Sequence, residues 1–118
     1  MSVTESYQAF VLEQLARVTP GIRARRMFGG VGIYASDLFF ALISDDALYF
    51  KTDATTRREF EALGMRPFRP GGDHGEVMGY HQLPPEILED PEALPRWVAA
   101  ALSVARQART RRSRSRGT

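Results

Sequence analysis

The fold class is decided by residues 38–51, which read LFFALISDDALYFK. Leu38 to Ile43 are apolar at both alternating sets of positions, which is typical of a central strand covered on its two faces. Ser44, Asp45 and Asp46 then form a turn, and Ala47 to Lys51 form a second strand-like run. A turn this short joins antiparallel neighbours, so the segment predicts a hairpin in the middle of a sheet.

The residues before this hairpin predict one helix and two strand-like runs. Apolar side chains recur at helical spacing from about Ser2 or Thr4 to Val18, and Pro20-Gly21 ends that run. Arg26 to Phe28 and Val31 to Ala35 are strand-like on either side of Gly29-Gly30, where we expect a bend or bulge.

The residues after the hairpin predict a second helix, two strands and a last helix. Asp53 is placed to cap a helix from Ala54 to Leu63, which Gly64 ends. Met65 to Phe68 and Val77 to Leu83 are strand-like. Apolar residues then follow a helical stripe from Leu94 to Ala105. The predicted fold class is α+β, an antiparallel sheet meander with flanking helices in the order α-β-β-β-α-β-β-α.

Charge divides the chain at about residue 105. Six arginines and no acid follow Ala105, whereas residues 1–105 hold ten basic and fourteen acidic side chains. We therefore predict a domain over 1–105, and over 106–118 the end of a helix and a disordered, basic tail. The tail arginines are candidates for binding nucleic acid phosphates without sequence preference. They are Arg109, Arg111, Arg112, Arg114 and Arg116.

The chain contains no cysteine, which excludes disulfides, a thiolate nucleophile and zinc–cysteine sites. Its longest apolar run is far shorter than the roughly 20 residues of a membrane span, and its acidic, polar N-terminus is unlike a signal peptide. We expect a cytoplasmic protein that has no membrane partner.

Three segments together resemble a known family: Arg25 to Tyr34 with its Met-Phe-Gly-Gly sequence, Leu38 to Ile43, and Leu48 to Asp53. Gly79-Tyr80-His81 and a later Trp-containing helix fit the same pattern. The likeness, over roughly residues 5–105, is to the N-terminal domain of the TfoX/Sxy competence regulators.

This resemblance implies a small α+β domain that acts in regulation together with a transcription regulator, rather than an enzyme. Full-length members of the family carry a second, helical domain. Since an arginine-rich segment stands here where that domain would begin, we expect a single-domain member without it.

The best candidate for a binding site is an anion patch formed by Arg25 or Arg26, Lys51, and Tyr34 or Tyr49. Guanidinium groups bind carboxylate or phosphate through two parallel hydrogen bonds. Alternation along a strand would put Arg23 and Arg25 on one face and Arg26 on the other. The arginines could instead pair with turn acids or lie over the sheet.

No other residue group predicts chemistry. Gly30-x-Gly32-x-x-Ala35 matches a loose dinucleotide-binding motif, but these glycines lead into strand and not into a helix. His74, Glu76 and His81 are the only cluster that resembles metal ligands, and they lack helical His-x-x-x-His spacing. We therefore expect no catalytic residue, no metal and no cofactor.

Three functional hypotheses remain from the sequence. The first is a non-enzymatic regulatory or protein-interaction module, a competence or transcription co-regulator whose sheet could also support a homodimer. The second is an enzyme or small anionic-ligand binder that uses the Arg/Lys/Tyr patch. The third is direct binding of nucleic acid by the basic tail.

Overall fold

The computed structural model describes residues 3–27, 29–69 and 79–117, with side chains as far as Thr110. The elements are α1 (Glu5–Val18), β1 (Ile22–Met27), β2 (Gly30–Ala35), β3 (Leu38–Ser44), β4 (Ala47–Lys51), α2 (Arg57–Ala62), β5 (Tyr80–Gln82), α3 (Pro85–Leu88) and α4 (Leu94–Gly117). The strands form one sheet in the order β1-β2-β3-β4-β5, and every neighbouring pair is antiparallel. The predicted α+β class, with an antiparallel meander and flanking helices, is confirmed.

Two parts of the sheet differ in detail from the sequence prediction. The bend expected at Gly29-Gly30 is a full reversal, because Gly29 has φ 77° and Met27 pairs directly with Gly30. The expected strand Met65 to Phe68 is reduced to a single bridge between Pro67 and His81. Two backbone bonds flank this bridge, from Phe68 N–H to the Tyr80 oxygen (2.8 Å) and from Gln82 N–H to the Arg66 oxygen (3.0 Å). The pairing goes no further because the Met65 N–H donates to the Phe60 oxygen of α2 and not to β5.

The last helix, α4, extends into the segment 106–118, for which the sequence predicts a helix end and a basic tail. The backbone of α4 continues as helix from residue 110 to Gly117. Arginine is among the better helix formers, and residues 106–117 contain no proline that would end the helix.

All the helices pack on one face of the sheet. Their apolar side chains share one core with the inward strand positions, and its most buried members are Val11, Leu15, Val31, Ile33, Phe40, Ala41, Ile43, Leu48, Phe50, Leu94 and Val98. β3 is the middle strand, as predicted, but helices of the described residues cover only one of its faces. Within the same residues no helix combines the length and the apolar character needed to cross a bilayer.

An extra residue in β3 sets the faces of its aromatic side chains. Ile33 pairs with Ala41 and Tyr34 pairs with Phe39, so Phe40 has no partner of its own in β2. This is a β-bulge, which shifts the alternation of the strand. As a result Phe40 and Ala41 are both fully buried, and Phe39 lies on the face opposite the helices.

The turn between β3 and β4 holds the start of α1. Asp45 and Asp46 both have positive φ, 52° and 55°, as a two-residue hairpin turn of this kind requires. The two carboxylate oxygens of Asp46 accept hydrogen bonds from the backbone N–H of Thr4 (2.8 Å) and from its hydroxyl (2.9 Å). The same hydroxyl oxygen accepts a bond from the backbone N–H of Tyr7 and so caps α1.

We expect the substitution Asp46→Gly to lower the free energy of unfolding by about 1 kcal/mol, because two exposed, charge-assisted bonds are lost while glycine keeps the positive φ. Asp46→Asn retains one acceptor oxygen and tolerates the same φ, so its loss should be smaller. Urea denaturation measures both values. Equal stability of the glycine variant and the unchanged protein would contradict a stabilising role for this link.

Candidate functional site

The face of the sheet opposite the helices, called here the outer face, carries four of the five residues of the predicted anion patch. Arg25, Tyr34, Tyr49 and Lys51 lie on it, as the cross-strand pairs of β1 to β5 show. Arg26 pairs with the buried Val31 and therefore belongs to the helix side. The predicted split between Arg25 and Arg26 agrees with this register.

The four residues do not meet at one point. Arg25 is on the edge strand β1, whereas Tyr49 and Lys51 are on β4, three strand spacings or about 14 Å away. The structure spreads the cations across the outer face, so they do not form a single pocket for a small anion.

A line of contacts crosses the outer face from β1 to β5. It joins Arg23, Tyr34, Phe39, Tyr80 and Lys51, and it is called here the aromatic row. The guanidinium carbon of Arg23 lies 4.8 Å from the centre of the Tyr34 ring. The ring centres of Tyr34 and Phe39 are 5.1 Å apart, and those of Phe39 and Tyr80 are 5.9 Å apart. The ammonium nitrogen of Lys51 lies 4.8 Å from the centre of the Tyr80 ring. A cation therefore lies at each end of three aromatic rings.

Hydrogen bonds hold both cations in place. Arg23 Nε donates to the backbone oxygen of Ser36 at 3.1 Å, and Lys51 Nζ donates to the hydroxyl of Tyr80 at 3.3 Å. Arg23 is exposed and Tyr34 and Phe39 are partly exposed, whereas Tyr80 retains only 5% of its accessible surface. The solvent-facing part of the row is therefore its β1–β3 half.

The glycines of β2 make room for this arrangement. A Cβ on Gly32 would lie 2.6 Å from Met27 Cε and 3.0 Å from Phe39 Cε1. A Cβ on Gly30 would lie 2.5 Å from the backbone oxygen of Ile43. The Gly-x-Gly spacing thus serves close packing in a strand, and it leads into no helix that could face a pyrophosphate.

A second aromatic pair extends the outer face beside the row. The ring centres of Tyr49 and Phe68 are 5.0 Å apart. Burial raises the pKa of Tyr49, and the nearby Asp45 carboxylate raises it further. The Tyr49 hydroxyl is therefore a neutral hydrogen-bond donor at physiological pH.

Two of the residues in these contacts, Phe39 and Tyr80, were not candidates from the sequence. Alternation through an unbroken Leu38–Ile43 strand does not place Phe39 opposite the helices, since the bulge at Phe40 changes the faces. Tyr80 reaches the row only because β5 pairs with β4 after the long connection through α2. Sequence patterning carries no signal for either fact.

His81, one of the candidate metal ligands, is buried on the helix side of the sheet. Its Nδ1 lies 2.9 Å from the hydroxyl oxygen of Thr52, and its Nε2 lies 3.9 Å from a carboxylate oxygen of Glu61. No three metal-ligating side chains cluster among the residues that the structure describes. The other two candidates, His74 and Glu76, lie outside those residues.

Burial lowers the pKa of His81 below its ordinary value near 6.5. The Glu61 carboxylate opposes this shift, and the Arg57 guanidinium adds to it. The neutral ring can accept a hydrogen bond from the Thr52 hydroxyl while its Nε2–H faces Glu61. His81 is therefore part of the packing between β5 and α2.

Acid should destabilise the protein through this histidine. Because its pKa is lower in the folded state, the unfolded chain binds the proton first, and stability falls as the pH drops from about 6.5 through the folded-state pKa. His81→Gln removes the titration and should flatten the free energy of unfolding in that range, as urea titrations at several pH values would show. Equal slopes for the two proteins would contradict this assignment.

The first of the candidate tail arginines, Arg109, forms an ion pair with the domain. Arg109 Nη1 lies 2.6 Å from Asp37 Oδ2 in the turn between β2 and β3, so this arginine is an ion-pair partner within the domain. The others lie on the last two turns of α4, and they are Arg111, Arg112, Arg114 and Arg116.

Comparison with known proteins gives two matches, and both point to the family that the sequence resembles. A family model described as the TfoX N-terminal domain matches residues 13–105, from within α1 to the middle of α4. The matched range contains all five strands and the whole aromatic row. A curated relative named DNA transformation protein TfoX1, from Aliivibrio fischeri (strain ATCC 700601 / ES114), is 40% identical over 45 residues. Those residues are 38% of this chain and 22% of the relative, so the match spans about a fifth of the relative's length.

Proposed function

The chain belongs to the TfoX N-terminal domain family, as its sequence predicted, and we propose that it is a non-enzymatic regulatory domain that acts in the control of DNA transformation. The observation that carries the proposal is the family match, which spans the complete sheet and most of the described helices. The name of the relative suggests the process, since it is called a DNA transformation protein.

The distribution of polar groups supports regulation by contact rather than catalysis. Asp53 accepts bonds from the backbone N–H groups of Thr55 and Thr56, which lowers its pKa and fixes the start of α2. Asp46 links the hairpin turn to α1, and His81 packs between β5 and α2. These titratable side chains have structural partners, and the cations of the outer face do not converge on a reacting centre.

The proposed partner is a transcription regulator or an assembly that such a regulator forms on DNA. The resemblance to competence regulators suggested this class of partner from the sequence. Because the alignment covers only 22% of the relative, the partner is proposed for this chain from the family resemblance and is not taken from the relative. The alternative of a small-anion binder or enzyme lacks a convergent set of groups among the described residues.

Deletion of the gene in its source bacterium should lower both the transformation frequency and the transcripts of the DNA-uptake genes. Restoring the unchanged gene should recover both. The core variant Leu15→Asp is a matched control that should not recover them, because it buries an unpaired charge where Leu15 has no exposed surface. Unchanged transcripts in the deletion strain would exclude the proposed role.

A further inference from the structure

We propose that the outer face binds single-stranded nucleic acid, with the exposed rings of the aromatic row contacting bases and with Arg23 and Arg25 contacting phosphates. This inference adds a ligand to the domain and does not depend on its role in transformation. Proteins that bind single strands without sequence preference combine a basic surface with rings on which bases stack. Both features meet on this face.

Charge on the sheet differs from charge on the rest of the domain. Residues 1–105 carry ten basic and fourteen acidic side chains, yet none of the five described strands contains an acid. The strands hold four cations, and only Arg26 belongs to the helix side. Among the residues that the structure describes, the acids nearest to the outer face lie in turns, where Asp37 pairs with Arg109 and Asp45 lies close to Tyr49. The strands thus present cations and no acid on the outer face, although the domain as a whole is acidic.

The rings that a base could contact are the partly exposed ones. Tyr34 and Phe39 stack on each other, with an angle of 26° between their planes, and Arg23 covers the outer side of Tyr34. Tyr49 and Phe68 add a second partly exposed pair on the β4 side. Arg23 and Phe39 lie on the two sides of the Tyr34 ring, and Tyr34 and Tyr80 lie on the two sides of the Phe39 ring. A base would therefore contact the exposed edges of these two rings in a tilted or T-shaped arrangement, and such contacts do not depend on which base is present.

The helix end places a second basic element beside the row. Arg23 donates to Ser36, and Arg109 pairs with Asp37, so both arginines are fixed to the same two-residue turn between β2 and β3. The last turns of α4, which carry four further arginines, therefore start next to the Arg23 end of the aromatic row.

Other occupants fit these observations less well. A second copy of the chain on the outer face would bring a second set of the same cations towards this one, and like charges cost free energy at an interface. An acidic polypeptide would satisfy the cations but gives no role to the rings. Duplex DNA has its bases stacked on each other, so it would engage the arginines alone. Single-stranded nucleic acid uses both the rings and the cations.

Arg25 and Arg26 provide a matched pair for the first test. They are neighbours on one edge strand, both are exposed, and they lie on opposite sides of the sheet. Fluorescence anisotropy would measure binding of the full chain to an oligothymidine of about 20 nucleotides at about 50 mM salt. Arg25→Glu should weaken binding about tenfold, since it removes one phosphate contact and adds repulsion, and Arg26→Glu should weaken it less than about twofold.

Phe39→Leu tests the rings, because leucine retains apolar volume and removes the π-face. We expect it to weaken oligothymidine binding about five- to tenfold. The control is Phe10→Leu, the same exchange on α1, where the partly buried side chain packs against the core; it should leave binding unchanged. Thermal unfolding of both variants identifies any loss that comes from unfolding.

Four results would overturn the proposal. They are absence of oligothymidine binding, equal effects of the two arginine reversals, equal or tighter binding of a duplex of the same length, and equal binding of polyglutamate. If binding is lost only when four arginines of the helix end are replaced by glutamine, the ligand binds the helix end and not the sheet. These four are Arg111, Arg112, Arg114 and Arg116. Dissociation of a dimer by Phe39→Leu, measured by light scattering, would assign the outer face to a second copy.

Discussion

The bulge at Phe40 decides the character of both faces of the sheet. A strand alternates its side chains strictly, so a shift of one residue exchanges the inward and outward sets. In β3 the extra residue allows Phe40 and Ala41 both to face the core, where Phe40 packs at 5.7 Å from Phe50 between ring centres. The same shift turns Phe39 outward, between Tyr34 and Tyr80. One local irregularity thus brings together the two largest fully buried side chains, Phe40 and Phe50, and supplies the centre of the aromatic row.

The apolar run Leu38–Ile43 needs cover on two sides, and the molecule provides it in two different ways. On the inward side, α1 and α4 bury the strand in a continuous core. On the outer side, the described residues contribute no helix; ring contacts between neighbouring strands reduce the exposure of Phe39 instead. Aromatic pairs add about 0.5–1.5 kcal/mol each beyond their buried area, and the terminal cations add to this at exposed sites. A layer of side chains therefore replaces the second layer of secondary structure.

The sequence predicted the features that depend on local chemistry. The hairpin turn at Asp45-Asp46 and the opposite orientations of Arg25 and Arg26 follow from residue type and alternation, and the structure contains them. The cap predicted at Asp53 lies earlier than the helix itself: Asp53 bonds the backbone N–H of Thr56 in the turn before α2, which begins at Arg57 and not at Ala54. The features it did not predict depend on pairing between distant segments. Whether Met65 to Phe68 forms a strand depends on how these residues pair with β5, and only the Pro67–His81 bridge forms because the Met65 N–H donates to Phe60 instead.

The arrangement of the candidate site also depends on how distant segments pair, which the sequence does not show. The candidate arginines, lysine and tyrosines lie mostly on one face of the sheet, but their arrangement as a line rather than a pocket depends on register across five strands. Phe39 and Tyr80 are 41 positions apart in the chain, and no periodicity connects them. Composition suggested an anion site; only the pairing of strands shows that the cations are separated by rings.

The acids of the domain explain why its net charge misrepresents this surface. Asp46 joins the β3–β4 hairpin turn to the start of α1, and Asp53 bonds the turn ahead of α2. Asp90 accepts bonds from the backbone N–H groups of Glu92 and Ala93 ahead of α4. Asp37 neutralises Arg109. These carboxylates are confined to turns and helix ends, because short acidic side chains bond well to free backbone amides there. Since charge interactions at a surface decay within about 10 Å at ordinary ionic strength, an anionic ligand on the sheet responds to the strand cations nearby more than to the domain's surplus of acid.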